Sequence, residues 1–270
     1  MNNFRCGADE PNNYTTCLHN CKYHEKNKRK IHFVESDNTY VYKTVKKWNR
    51  HILDNWKKSE YHMSILGVDY CNLNKDYFKS SNNNANTDSN IYCRFFRTAV
   101  LYSLKRFCGN YEKIIVDNIY HDIGDMKYHK YFKKQVINYV KRNERKIVIN
   151  CDQITFLQTK SENCLEENNI FLQLIDIFLG ESVNLIHAKS KQERKKELSL
   201  ELYPIVYRCI NKSGNINSRY YHLYSISFFP KYTINDDMDE LERKLKENDN
   251  FYNIREIRLS NTGQQLSLFD

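Results

Sequence analysis

The stretch from 113 to 187 constrains the fold most. It opens with Lys113-Ile114-Ile115-Val116-Asp117, a short β-branched run that ends in an acid and reads as a strand. Asp125 to Arg142 then carries the apolar spacing of an amphipathic helix. Lys146-Ile147-Val148-Ile149-Asn150 is a second strand, either extended or followed by Ile154-Thr155-Phe156-Leu157. Asn168 to about His187 is a strongly apolar helix. Strand, helix, strand and helix in this order imply a parallel pair with a right-handed crossover, and so an α/β architecture.

The flanking regions read less sharply. Residues 3–9, 14–21 and 30–34 can supply strands, and Ser36 or Asp37 caps a helix running to about Lys58. Val41, Val45, Trp48, Ile52 and Trp56 share one face of that helix. A polar loop over 79–90 precedes a well-buried helix from Ile91 to about Phe107. After 190 the pattern gives a helix at 192–210, a strand at 221–229, a charged helix at 236–246 and an extended piece at 251–259. With 270 residues, 40% of them hydrophobic, and only three prolines, one large domain with additions is expected. The expected division is a domain over 1–190 with a helical insertion at about 37–110, a C-terminal α+β extension over 191–259, and a flexible tail over 260–270. Neither an N-terminal leader nor about 18 continuous apolar residues is visible, so a cytoplasmic protein without a membrane partner is expected.

Charge and ring content suit nucleic acid. Lys plus Arg is 42 against 33 for Asp plus Glu, a net charge of +9, with 21 tyrosines and 14 phenylalanines. Phosphates attract the cations, and bases stack on rings. An AT-rich genome would give the same Asn, Lys, Tyr and Ile bias, so composition alone leaves both readings open. Lys127, Lys130, Lys133, Lys134, Lys141 and Arg142 would line a phosphate backbone along the crossover helix or form its solvated face. Cys17 and Cys21, with Cys6, His19 and His24 nearby, lack the paired Cys-x-x-Cys spacing and a second cluster, which argues against zinc.

Two acids stand out. Asp117 directly follows a strand, where open sheets place their ligand sites. Asp176 lies inside the apolar run Ile170-Phe171-Leu172-Gln173-Leu174-Ile175-Asp176-Ile177-Phe178-Leu179-Gly180. A carboxylate there faces a desolvation cost unless it meets solvent, a cation or a metal. Ile115-Val116-Asp117, Lys160-Ser161, Leu172-Gln173-Leu174-Ile175-Asp176 and Gly180 together resemble the second half of the RNase H-like DUF-3800 family, a domain of unknown function. The resemblance implies an RNase H-like mixed sheet flanked by helices. It also implies a first acid at the end of an N-terminal strand: Asp9 in Ala8-Asp9-Glu10-Pro11-Asn12, or its rival Glu35 in Phe33-Val34-Glu35-Ser36-Asp37. The Ser-Gly pair that follows this acid in the family is missing here. Glu60 is the candidate for the family's second acid. Asp9, Glu60, Asp117 and Asp176 would then be catalytic, with Asp9, Asp117 and Asp176 holding two Mg²⁺ or Mn²⁺ ions for phosphodiester hydrolysis.

The sequence closes on Gln265-Leu266-Ser267-Leu268-Phe269-Asp270 after a polar run. Three large apolar groups at a solvated terminus make sense if another protein supplies their groove. The string resembles the peptide by which bacterial replication and repair proteins dock on the sliding clamp, which implies the clamp as a partner. The alternative is a tail that folds back onto its own domain. The expected activity is therefore a metal-dependent nuclease brought to DNA by the clamp, or a non-catalytic clamp-binding adaptor on the same fold.

Overall fold

The computed structural model describes residues 30–55, 62–71, 73–79, 87–123, 131–158, 167–187, 189–211, 224–229, 232–233 and 258–259. The chain is a mixed α/β protein in which helices predominate and strands are short. It divides into two compact units that do not follow chain order. The first takes residues up to Met63, then 158–225 and 232–259; the second takes 64–157, 226–231 and 260–270. The helix Glu193–Asn211, which follows residue 190, belongs to the first unit.

The first unit is built on three helices: α1 (Thr39–Asn55), α4 (Glu167–His187) and α5 (Glu193–Asn211). The helices between α1 and α4 among the described residues, α2 (Thr87–Cys108) and α3 (Phe132–Asn143), belong to the second unit. The apolar row of α1 buries Val41, Val45, Trp48 and Ile52 completely, as its spacing predicts. Helix α5 packs on both α1 and α4. It contributes Leu198, Leu202, Ile205 and Val206 to the core, and α4 contributes Ile170, Leu174, Ile177, Phe178 and Leu185. Asn38, not Ser36 or Asp37, caps α1: its side-chain oxygen accepts from Tyr40 N at 3.0 Å, and its carbonyl accepts from Tyr42 N. Residues 33–35 form a 3₁₀ turn capped by His32, where a strand is expected over 30–34. Ser36 is buried and closes that turn through its own N–H to Phe33 O.

Helix α4 buries polar groups beside its apolar ones and leaves some apolar groups outside. Phe171, Ile175 and Leu179 are exposed, while Asn169, Gln173, Glu181, Ser182 and Asn184 are buried. By length and composition it is the one described helix that could cross a membrane, a test that a core helix also passes. A short antiparallel pair, Tyr232–Thr233 with Arg258–Leu259, completes the described part of this unit.

The second unit holds the parallel strands. β2 (Ile114–Val116) pairs with β4 (Ile147–Ile149), and β3 (Tyr120–Asp122) pairs with β5 (Thr155–Leu157), both parallel. Ile114 is level with Ile147 in the first pair and Tyr120 with Thr155 in the second. The two pairs are separate two-stranded parallel sheets. Helix α3 (Phe132–Asn143) connects their strands, and helix α2 (Thr87–Cys108) enters from the other side of the sequence. Leu101, Ile137 and Val140 from the helices pack on Ile114, Ile147 and Ile149. Phe132, Val136, Cys93 and Ile154 form the neighbouring cluster. β1 (Met63–Val68) pairs with β6 (Tyr224–Phe229), and Phe229 packs on Phe95 of α2.

Candidate functional site

Asp117 follows β2 in register with Asn150, which follows β4. The Asn150 side-chain amide donates to Asp117 Oδ1 at 2.7 Å, and Asp117 is exposed. The chain resumes as β3 at Tyr120, which pairs with β5 in a separate two-stranded sheet, so Asp117 lies between the two parallel pairs along the chain.

Asp176 has a different setting. Its Oδ2 accepts from Phe33 N at 2.9 Å, and its Oδ1 lies 3.4 Å from His32 Nε2. One turn earlier, Gln173 Oε1 accepts from Ile31 N at 2.7 Å. One turn later, Gly180 lies against Phe33, where an added Cβ would come within 2.6 Å of Phe33 Cβ and closer still to the ring. Gln173, Asp176 and Gly180 therefore form one face of α4 that fixes the backbone of 31–33. The partner of Asp176 is a histidine and a main-chain N–H, neither solvent alone nor a lysine or arginine. Gly180→Ala should destabilise the fold by about 1–3 kcal/mol, because overpacking against the rigid root of Phe33 outweighs the helix propensity gained. Thermal unfolding checks this; a gain in stability would mean that Phe33 moves aside freely.

Asp117 belongs to the second unit and Asp176 to the first. Among the described residues, no group of three or more His, Cys, Asp or Glu side chains is arranged to hold a metal. Glu35 is exposed and sits on the same 3₁₀ turn that Asp176 anchors. Asp9, Glu60, Lys127, Lys130, the Cys17–Cys21 region, Lys160-Ser161 and Gln265–Phe269 lie outside the described residues. Of the crossover-helix cations, Lys134, Lys141 and Arg142 are exposed, while Lys133 is partly buried with its Nζ 5.0 Å from the Phe156 ring centroid.

Sequence reasoning missed two polar clusters. In the first unit, Glu181 is fully buried, and its Oε1 accepts from Asn49 Nδ2 at 3.0 Å. The same amide reaches Leu198 O and Glu201 Oε2. Lys46 Nζ lies 3.7 Å from Glu201 and 2.5 Å from Glu197, and Tyr42 donates to Glu197 at 2.6 Å. Burial pushes the Glu181 carboxyl well above the usual range, and the nearby Glu201 adds to this against the Asn49 hydrogen bond. Glu201 is also raised by burial, whereas the bond from Lys46 holds Glu197 low. The desolvation argument applied to Asp176 would have found Glu181, five residues on in the same apolar helix.

In the second unit, His121 is ringed by Tyr92, Phe96, Phe132 and Phe156. Its Nδ1 bonds Asp122 O, and its Nε2 lies 2.7 Å from the Tyr92 hydroxyl. Burial lowers the His121 pKa and raises that of Tyr92. The pair is therefore a neutral imidazole accepting from a protonated phenol. That arrangement supports packing rather than nucleophilic chemistry.

Comparison of the chain with family models, with curated proteins and with solved structures finds no match in any of the three.

Proposed function

We propose that this protein is a metal-dependent nuclease of RNase H-like, DUF-3800-like architecture, brought to DNA by the bacterial sliding clamp through Gln265–Phe269. The observation that carries the chemistry is Asp117. It is an exposed carboxylate directly after a parallel strand, oriented by the Asn150 amide and aligned with a crossover unit of the kind that RNase H-like sheets use. As a hard oxygen ligand, Asp117 fits Mg²⁺ or Mn²⁺. Two such ions, when bound, would supply an activated water and stabilise the leaving oxygen. Asp9 or Glu35, with Glu60, would complete the acid set. Asp176 fits a metal only once His32 gives way, because both of its oxygens already have partners.

The test is hydrolysis of single-stranded DNA, duplex DNA, RNA and hybrid with Mg²⁺ or Mn²⁺. EDTA should abolish turnover, and Asp117→Asn should reduce it about a hundredfold, the scale on which groups supporting a metal centre act. Turnover that survives both Asp117→Asn and Asp176→Asn would end this reading. A second reading, a non-catalytic clamp-binding adaptor, is favoured by one observation: Asp176 already has a structural task in tying residues 31–33 to α4. Under that reading Asp176→Asn lowers stability, and no substrate is cut by the wild-type chain.

A further inference from the structure

The ladder of β2 and β4 alternates strictly. Ile114, Ile147 and Ile149 face the helices and are buried. Lys113, Ile115 and Asp117 on one strand, and Lys146, Val148 and Asn150 on the other, are exposed. The register sets Ile115 beside Val148, and the flanking contacts bring the other residues level: Ile114 N donates to Lys146 O, and Asn150 bonds Asp117. Parallel strands normally bury both faces under helices. Here one face is open, with Ile115 57% and Val148 37% exposed.

The head of this open face is basic. Helix α2 ends in Lys105 and Arg106, α3 ends in Lys141 and Arg142, and Arg145 and Lys146 lead into β4. Lys105 bonds Glu144 at 3.2 Å, which ties the end of α2 to this corner and holds the Glu144 carboxyl below its usual range. Lys146 also lies near Glu144: its N–H donates to Glu144 Oε1 at 3.3 Å and its charge helps to hold that carboxyl low, while among the described residues no carboxylate is within ion-pair distance of Lys113, Lys141, Arg142 or Arg145. Tyr111, two residues before Lys113, is exposed.

We propose that the open face of β2 and β4 binds single-stranded nucleic acid, with phosphates on Lys113 and Lys146 and the strand running over Ile115 and Val148 toward Asp117. Charge complementarity selects a polyanion. The apolar strip selects an unpaired strand, because a duplex presents its phosphates but keeps base faces stacked inside, whereas a single strand offers both. From Lys113 to Asp117 is four residues, roughly 13 Å at strand rise, so an anchored strand reaches the acid within a few nucleotides. The destination of the strand rests on the proposed role of Asp117; its binding does not.

The experiment is fluorescence anisotropy of a labelled oligothymidine and of a duplex of matching length, using the full chain in EDTA so that nothing is cut. Wild type should bind the single strand more tightly, with affinity that falls as salt rises. Lys113→Gln with Lys146→Gln should weaken binding about tenfold and flatten the log–log salt slope by about 1.4, since each phosphate contact to a single strand contributes about 0.7. Ile115→Ser should weaken binding without changing the slope, and Lys191→Gln, in the first unit, should change neither. If the double variant loses its circular dichroism signal, each single variant carries the test with a slope change of about 0.7. Wild-type affinity and slope in the double variant, tighter duplex binding, or no binding by wild type would each overturn the proposal. Hydrolysis unaffected by the lysine changes would remove this surface and leave the nuclease reading intact. Binding without hydrolysis would keep the surface and end the nuclease reading.

Discussion

Glu181→Gln should make the folded chain more stable at neutral and alkaline pH and leave its stability unchanged near pH 4. Glu181 sits in a packed interior with no exposed surface, facing Asn49 from α1 and Glu201 from α5, and Glu201 in turn faces Lys46, Arg50 and Glu197. Its Oε2 and the Asn49 Oδ1 are both buried without a hydrogen-bond partner. A protonated carboxyl beside an acceptor amide oxygen suits that surrounding better than a carboxylate does. The folded state therefore keeps the proton above the ordinary value of 4.5, where the unfolded chain has released it. Because the folded state binds more protons across that window, stability is fully present below 4.5 and falls as pH rises toward the raised folded-state value. The slope is about 1.4 kcal/mol per pH unit for this group. Glu201, also raised, acts in the same sense. Glutamine keeps the shape and the oxygen facing Asn49 but carries no titrating proton, so the difference between wild type and Glu181→Gln isolates this residue. Unfolding free energies from pH 4 to pH 9 give the comparison. Parallel curves for the two proteins would show that Glu181 is ionised in the fold or reaches solvent.

The elements legible in the sequence are those whose periodicity settles one face. Residues 114–116, 147–149 and 155–157 fall inside the expected strand segments, and the parallel pairing follows from their order. Val41, Val45, Trp48 and Ile52 sit on one buried stripe as their spacing requires. Met63–Val68 escaped notice although its apolar run was readable, and Tyr120–Asp122 is too short and polar to signal a strand.

Helix α4 is where pattern and burial part company. Its apolar residues are more numerous than its buried face can take, so Phe171, Ile175 and Leu179 remain outside while hydrogen-bonded Gln173 and Asn184 lie within. Hydropathy reports how apolar a helix is, but side-chain partners decide which polar groups go inside. Asp176 shows the consequence for function. An acid in an apolar helix is a sound place to look, yet the structural task it performs, accepting from Phe33 N, depends on a residue 143 positions away that no local pattern reveals.

The largest effect expected at a partner interface belongs to Leu268 and Phe269. They are adjacent large apolar groups at the end of a polar tail, and a short peptide binds mainly through such anchors. Each alanine substitution should weaken binding to purified bacterial sliding clamp by about 2 kcal/mol or more, and the two together by more than either alone. Gln265 adds a polar contact that fixes register, so Gln265→Ala should cost less, about 1 kcal/mol. Peptides of this length lose part of their contact energy to ordering, so modest affinity for the full chain is expected. Isothermal titration of clamp with the full chain and with a chain ending at Thr262 separates the alternatives. Loss of binding on truncation, with unfolding temperature unchanged, identifies a docking peptide. Equal binding by both chains, or a fall in unfolding temperature without any clamp binding, would identify a segment that packs on its own protein, and the link to replication would go with it. The outcome does not depend on Asp117, because a clamp-bound adaptor and a clamp-bound nuclease need the same anchors.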